Sequence, residues 1–463
     1  MPAPEWELPR LKSTLRLGPK NSNERTPVFD VKFYPYDDSS KNTVFAVVAG
    51  HDYTVLQMTQ RIKSKFFGGG MMTRQDNVLN SCVWSRDMET GDPLLCITGT
   101  GIPNASAKIK VLNVKSGEMV NILTGHGGDI NDLIISPLSP SILISSSMDH
   151  TIRVWSLDPK HSSNPCILMC AGEGHKEGVL AVGIHDNGRY LLSGGLDSAV
   201  CLWTLPEFSP PAVINDELPV IHYPHFSTTA VHSNYVDCVQ FHGDLVLSRC
   251  AEEHVIKLWR ITSFPPKSPP DAQQTSTAHQ FLETRSAFIP QTSGNTIPGY
   301  EILLQFETPN SGSFYMRFSL LRQPGLHPVL AFGTDGSKIL MWDLCRLIEP
   351  EDGVMPWMRS KNPQGKLAIG RETSVASSTS GSIASGSAMG YGEESRAKKD
   401  GIVGNMITGK KGMVTDAFSL IPAHVSIVVP NVAFMARQVG WSVDGKWMVV
   451  VGDWGMVAIF HRW

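Results

Sequence analysis

One phrase returns five times along this chain. It reads MDHTIRVWSL at 148–157, LDSAVCLWTL at 196–205, EEHVIKLWRI at 252–261, TDGSKILMWDL at 334–344 and, in a more degenerate form, GDWGMVAIFHRW at 452–463. Each copy is an acidic or polar turn followed by an alternating strand with an aromatic residue near its end. Trp155, Trp203, Trp259 and Trp342 follow one another at intervals of 48, 56 and 83 residues. Recurrence at roughly 40–60 residues marks a β-propeller, in which each repeat folds into one four-stranded blade. A single blade cannot bury its own faces, so the repeats must stack side by side around a channel. Such a ring is a platform, and it turns the functional question from a reaction toward a binding partner.

Anchoring each blade on its last regular strand gives seven. Blade 1 ends near YTVLQM (53–58), blade 2 near KIKVLNV (108–114), blades 3 to 6 at the four tryptophans, and blade 7 at residues 457–461. The predicted fold is therefore all-β, a seven-bladed WD-repeat β-propeller occupying 1–463 as a single domain. The segment LKSTLRL (11–17) alternates but has no blade of its own, so it is expected to pair with blade 7 and close the ring, leaving only short protected edges. Residues 262–299 are rich in Pro, Ser, Thr and Gln and read as a loop insertion. Residues 360–412 are rich in Gly and Ser and read as a disordered loop insertion. A Gly-rich basic loop at 63–74 interrupts the passage from blade 1 to blade 2.

Charge and cysteine content remove several function classes. With 40 Lys and Arg against 43 Asp and Glu, the formal net charge is −3, which gives no global pull toward nucleic acid or a membrane surface. No run of 18 apolar residues is present, so no membrane span is expected. The beginning of the sequence lacks the apolar core of a secretory signal, and eight scattered cysteines are expected to be reduced intracellular thiols.

The polar residues that invite a catalytic reading recur too regularly to be catalytic. His126, Ser145, Asp149 and Trp155 appear in the same order as His175, Ser193, Asp197 and Trp203. A repeated Asp–His–Ser–Trp chain is expected to be a buried structural network, because each unpaired member would cost about 1–3 kcal/mol. His161, Cys166, Cys170 and His175 match no compact zinc spacing, and 167–169 reads as strand. The glycines at 68–70 and 99–101 lack the strand–turn–helix setting of a phosphate loop. No enzyme, metal or cofactor is expected.

Several segments are more particular than a generic repeat. GHGGDINDLIISPLSPSILISSSMDHTIRVWSL (125–157), NYVDCV with GDLVLS after it, and FYMRFS (314–319) leading into ILMWDL together closely resemble the Polycomb family of embryonic ectoderm development (EED) proteins, called Esc in flies. The resemblance runs from about residue 27 to 463, outside the two large insertions, whose low complexity has a fungal look.

The resemblance implies a non-catalytic nuclear scaffold and trimethyl-lysine reader. That family is a core subunit of Polycomb repressive complex 2, a histone lysine methyltransferase, and stimulates its SET-domain subunit when a methylated histone tail fills an aromatic cage. A zinc-finger Polycomb subunit is a further implied partner, with no membrane and no sequence-specific nucleic acid among the partners. By position, the implied cage falls on Phe29, Phe314, Tyr315 and, as a non-aromatic fourth member, Leu123. Tyr235, Asp237, Arg317 and Arg437 are implied beside the bound peptide. The face opposite the cage is implied to take a helical segment of the SET-domain subunit, in a groove supplied by the loops joining successive blades. A generic WD-repeat adaptor, such as a ubiquitin-ligase substrate receptor, is the alternative.

Overall fold

The computed structural model describes residues 7–17, 26–36, 43–50, 52–58, 65–66, 78–100, 107–208, 218–270, 283–289, 298–347 and 417–462. Seven sheets are present, one for each blade. In blades 1 to 6 the first three strands run consecutively and the fourth comes from the segment that follows. The recurring phrase is thus the third strand of its blade, and another strand packs outside it. In blade 7 that outer strand is the N-terminal Arg10–Arg16, paired antiparallel with Met456–His461. The ring is closed by the two ends of the chain, as the alternation of 11–17 predicts.

The turn that opens the phrase explains why the phrase is conserved from blade to blade. His150, Ser198, His254, Ser337 and Trp454 all sit at left-handed φ between 56° and 68°. Side chains other than Gly enter this region only when something holds the turn. In blades 3 and 4 the preceding aspartate does so: Asp149 accepts from Thr151 N–H at 3.0 Å and Asp197 from Ala199 N–H at 3.2 Å.

Core residues gather in seven clusters, each between two neighbouring blades. Alternating strand residues face opposite sides of a blade, so each sheet feeds the two interfaces beside it. The tryptophans of the phrase are almost fully buried there. Their indole N–H groups are the last members of the predicted networks. Trp155 Nε1 donates to Ser145 Oγ at 2.8 Å, His126 Nε2 lies 2.8 Å from the same oxygen, and His126 Nδ1 meets Asp149 at 2.8 Å. Because the indole can only donate, the serine proton goes to Nε2 and the imidazole proton to the aspartate. Blade 4 repeats the set with His175, Ser193, Asp197 and Trp203. Blade 5 repeats it with His232, Ser248, Trp259 and Glu253 in place of the aspartate.

The networks of blades 3 and 5 set an acid limit on stability, whereas in blade 4, despite burial, the contacts with Cys201 and Asp197 raise His175 to about 10. Burial holds His126 and His232 below the ordinary imidazole value, and burial and nearby Arg322 push His242 to about 4. Despite burial, the histidine contacts hold Asp149 and Glu253 below the usual carboxylate range. The unfolded chain therefore binds more protons below about pH 6.5, and stability falls as pH falls, first through the histidines and then through the carboxylates. A pH series of thermal melts should drop steadily below pH 6.5. A melting temperature unchanged between pH 7 and 4.5 would contradict this.

The insertions are more structured than composition suggests. Thr284–Ser286, inside the expected 262–299 loop, forms a fifth strand on blade 4 by pairing with Phe226–Thr228. Its pairing partners are backbone groups, which leave no hydrophobic period to read. Val220–Ile221 and Leu420–Ile421 similarly add parallel fifth strands to blades 3 and 5. Within the 63–74 loop, Lys65–Phe66 supplies the outer strand of blade 1. The 360–412 segment lies outside the described residues.

Candidate ligand site at one mouth of the channel

The innermost strands share one irregularity. Pairing with the second strand skips a residue between Val28 and Asp30, Leu79 and Ser81, Ile130 and Asp132, Val179 and Ala181, Val236 and Cys238, and Ala436 and Gln438. Six blades thus carry a β-bulge at the same level, near the starting end of the strand that lines the channel. A bulged residue has no cross-strand partner, and its side chain is re-aimed. The residues so placed are Phe29, Asn80, Asn131, Leu180, Asp237 and Arg437.

Blade 6 departs from this pattern and completes the ring. Its inner strand, Ser319–Leu321, is short, and the chain before it bends through Phe314 and Tyr315. Tyr315 has φ 62°, a costly conformation for an aromatic residue. It is held there from both ends. Its N–H donates to Asp237 Oδ2 at 3.1 Å, and its hydroxyl lies 3.0 Å from the carbonyl of Asn80 and 2.7 Å from that of Asn131. Outside a strand, Phe314 and Tyr315 do not face opposite sides of a sheet, and their rings meet at 5.6 Å and 70°.

Four aromatic rings form a chain along this mouth. Phe29 meets Tyr315 edge-on at 5.5 Å, Tyr315 meets Phe314, and Phe314 meets Tyr235 at 5.4 Å. Phe314 is 42% exposed, whereas Tyr315 is buried. The Arg437 guanidinium lies 4.9 Å above the Phe29 ring, fixed by Asp453 at 2.6 Å and donating to the Phe314 carbonyl at 3.3 Å. One aromatic face at the mouth thus already carries a cation, the charge type such faces attract.

Three of the eight sequence-derived positions lie elsewhere than expected. Leu123 is not at the mouth. It sits on the outer strand Met119–Thr124 of blade 2, 1% exposed, in the core between blades 2 and 3. Its place near the Gly-His pair put it on the wrong strand, because the chain must still cross from the blade rim to the channel. The blade 2 residue at the mouth is Asn80. Arg317 lies buried beneath Tyr315, ion-paired to Asp132 at 2.6 Å and donating to the Leu180 carbonyl at 2.9 Å. Asp237 is buried against Arg249, whose Nη1 reaches both carboxylate oxygens at 2.6 Å. The other end of Arg249 donates to the carbonyls of Ser311 and Ser313, so this pair braces the loop carrying Phe314 and Tyr315. Arg317 and Asp237 are supports from below, and Tyr235 and Arg437 are the flanking residues at the rim.

A positional signal exists for the missed bulges. Asn131, Leu180 and Asp237 each lie five residues after the network histidines His126, His175 and His232. Asn80 has no such histidine before it among the described residues, which is why it escapes sequence reading.

Other chemistry is already occupied. His232, Cys250 and Glu253 approach one another closely, but both ring nitrogens of His232 are engaged in the blade 5 network. His327, Asp343 and Cys345 meet at the far end of blade 6, where Arg346 lies 3.2 Å from the Asp343 carboxylate and fills the cation position. Burial pushes the Cys96 and Cys238 thiols up to about 12, which keeps them protonated and inert.

A closed seven-bladed ring with aromatic and bulged side chains gathered at one mouth defines a WD-repeat propeller. A family model described as WD domain, G-beta repeat matches residues 117–156 and 166–204. The Polycomb protein EED of Chaetomium thermophilum is 35% identical over 556 residues, covering 99% of this chain and 96% of that protein. The crystal structure of the Chaetomium thermophilum polycomb repressive complex 2 (PRC2) contains a chain similar to this one with a TM-score of 0.80 at 32% identity, covering 100% of this chain and 99% of that one. A structure of ctPRC2 in complex with H3K27me3 and H3K27M gives a TM-score of 0.80 at 33% identity, covering 99% and 98%. The chain belongs to the EED family of Polycomb proteins.

Proposed function

We propose that this chain is the non-catalytic WD-repeat subunit of a nuclear Polycomb repressive complex 2, and that its channel mouth reads trimethylated lysine on a histone tail. The observation that carries the reading is the chain of rings from Phe29 through Tyr315 and Phe314 to Tyr235 at one mouth. A trimethylammonium group cannot donate a hydrogen bond, so aromatic faces and desolvation must hold it. Tyr235 supplies the fourth ring of the cage, in place of the position assigned to Leu123. The likeness to a chain of ctPRC2 in complex with H3K27me3 and H3K27M supports the same assignment. The partners are then the SET-domain catalytic subunit, which responds to cage occupancy, and a zinc-finger Polycomb subunit.

The opposite face suits the catalytic subunit's helical segment. Loops joining successive blades run on the aromatic face, next to the bulges, so they cannot supply the groove. The loops joining first to second strands lie on the opposite face and carry exposed Met88, Leu138 and Val443. These are apolar anchors of the kind a helix-in-groove contact uses.

Affinity purification of the full chain from its native cells tests the assembly. A SET-domain methyltransferase should copurify in near-stoichiometric amount. Recovery of ubiquitin-ligase subunits with no SET-domain protein would replace this reading with that of a generic adaptor.

A further inference from the structure

The bulge of blade 2 places an amide beside the aromatic rings of the mouth. Asn80 is 4% exposed and follows Phe29 around the ring of bulges. Its backbone carbonyl touches the Tyr315 hydroxyl at 3.0 Å. Its side-chain Nδ2 donates to the Ile130 carbonyl at 3.0 Å. That bond fixes the amide orientation, because the flipped amide would set oxygen against oxygen. The remaining atom, Asn80 Oδ1, is buried and has no hydrogen-bond partner. Buried acceptors are nearly always paired, so an orphan beside a binding mouth needs an explanation.

The chemistry of methylated ammonium groups supplies one. A trimethylammonium has no N–H. A dimethylammonium keeps one N–H and its full positive charge, and it still presents methyl groups to aromatic faces. A single acceptor beside aromatic rings therefore separates the two states. We infer that this mouth takes dimethyl-lysine at least as readily as trimethyl-lysine, with Asn80 Oδ1 accepting the ammonium proton and Phe29, Tyr315 and Phe314 holding the methyl groups. The inference rests on the methyl-lysine reading above and names the methylation state that this chain favours. The proton stays on nitrogen throughout, and no bond is made or broken. Asn80 is a specificity residue: it would cost affinity for the trimethyl group, which cannot satisfy the amide, and add affinity for the dimethyl group, which can.

The test is calorimetric titration of the full chain with three peptides of the H3K27 sequence: unmodified, dimethylated and trimethylated. The wild type should bind the dimethyl peptide as tightly as the trimethyl peptide or more tightly. Asn80→Leu should lower the dimethyl-to-trimethyl affinity ratio about tenfold, the usual scale of one hydrogen bond from a charged donor. Asn80→Ala removes the acceptor without adding apolar bulk and should lower that ratio likewise, which covers the case in which Asn80→Leu does not fold. A ratio that is the same in the wild type and in the folded variants overturns the inference. If the wild type binds unmodified peptide as tightly as both methylated ones, the methyl-lysine reading itself fails, and that result differs from an unchanged ratio.

Discussion

Removal of residues 1–17 is expected to lower the melting temperature by about 5 °C or more. The deleted segment supplies the outer strand of blade 7, Arg10–Arg16, in register with Met456–His461. It also buries Leu8 in the core between blades 6 and 7, and packs Leu15 and Leu17 against the core between blades 7 and 1. At the far end, the Leu17 N–H donates to the Gly455 carbonyl at 2.8 Å, and Arg462 donates to the Glu7 carbonyl. Losing even two of these leucine contacts costs about 3–6 kcal/mol. One kcal/mol moves the midpoint by about 2–4 °C in domains of 150–250 residues, and somewhat less in larger ones. The third strand of blade 7 would also become an exposed edge open to pairing with other chains. Circular dichroism melts of the full and truncated chains, with light scattering to follow association, would measure both effects. A truncated chain that melts with the full one would mean that the ring is held shut by something other than this strand.

The second large effect concerns the mouth. Phe29→Ala should weaken binding of a trimethylated H3K27 peptide by a few-fold to about 30-fold, the value of one aromatic face. The variant should keep its melting temperature, because Phe29 sits on a bulge with no cross-strand partner and its neighbours Val28 and Asp30 carry the pairing. Phe29→Ala combined with Phe314→Ala should bring the methylated peptide down to the affinity of the unmodified one. Tyr315 makes a poorer test by truncation. Its hydroxyl ties together the inner strands of blades 2 and 3, and its N–H is held by Asp237. Tyr315→Ala would leave those two carbonyls without the hydroxyl donor and confuse a loss of binding with a loss of fold. Tyr315→Phe keeps the ring and removes only the tie. Calorimetry with both peptides separates the cases. A Phe29→Ala and Phe314→Ala double variant that still prefers the methylated peptide would remove the aromatic mouth as the reading site.

The brace formed by Asp237 and Arg249 shows why buried charges sit so near the mouth. Both groups are about 1% exposed and pair with one another through Nη1, and the arginine's Nη2 ties down the loop before Tyr315. A buried ion pair is weak support for overall stability. Here it connects the blade 5 bulge to a left-handed aromatic residue that would otherwise relax. Arg317 with Asp132 repeats the arrangement one layer deeper.

Repetition made most of the architecture legible. The same turn and strand, recurring with a tryptophan, determined the blade count, the order of blades and the role of the Asp–His–Ser–Trp networks, because each depends on contacts within one repeat. The alternation of 11–17 determined the closing strand for the same reason: a strand without a blade must pair with the one blade that lacks a fourth. The family resemblance assigned Phe29, Phe314, Tyr315, Tyr235 and Arg437 to one mouth. What escaped the sequence depends on contacts between blades. A β-bulge leaves no mark on hydrophobic alternation, so nothing in the chain announced that Asn80 rather than Leu123 faces the channel in blade 2. Burial of Asp237 and Arg317 was equally unreadable, since a charged residue gives no sign of its partner when that partner lies on another blade. The left-handed bend at Tyr315 exists only because carbonyls from blades 2 and 3 and a carboxylate from blade 5 converge on one residue of blade 6, and only closure of the ring brings those four blades to a single point.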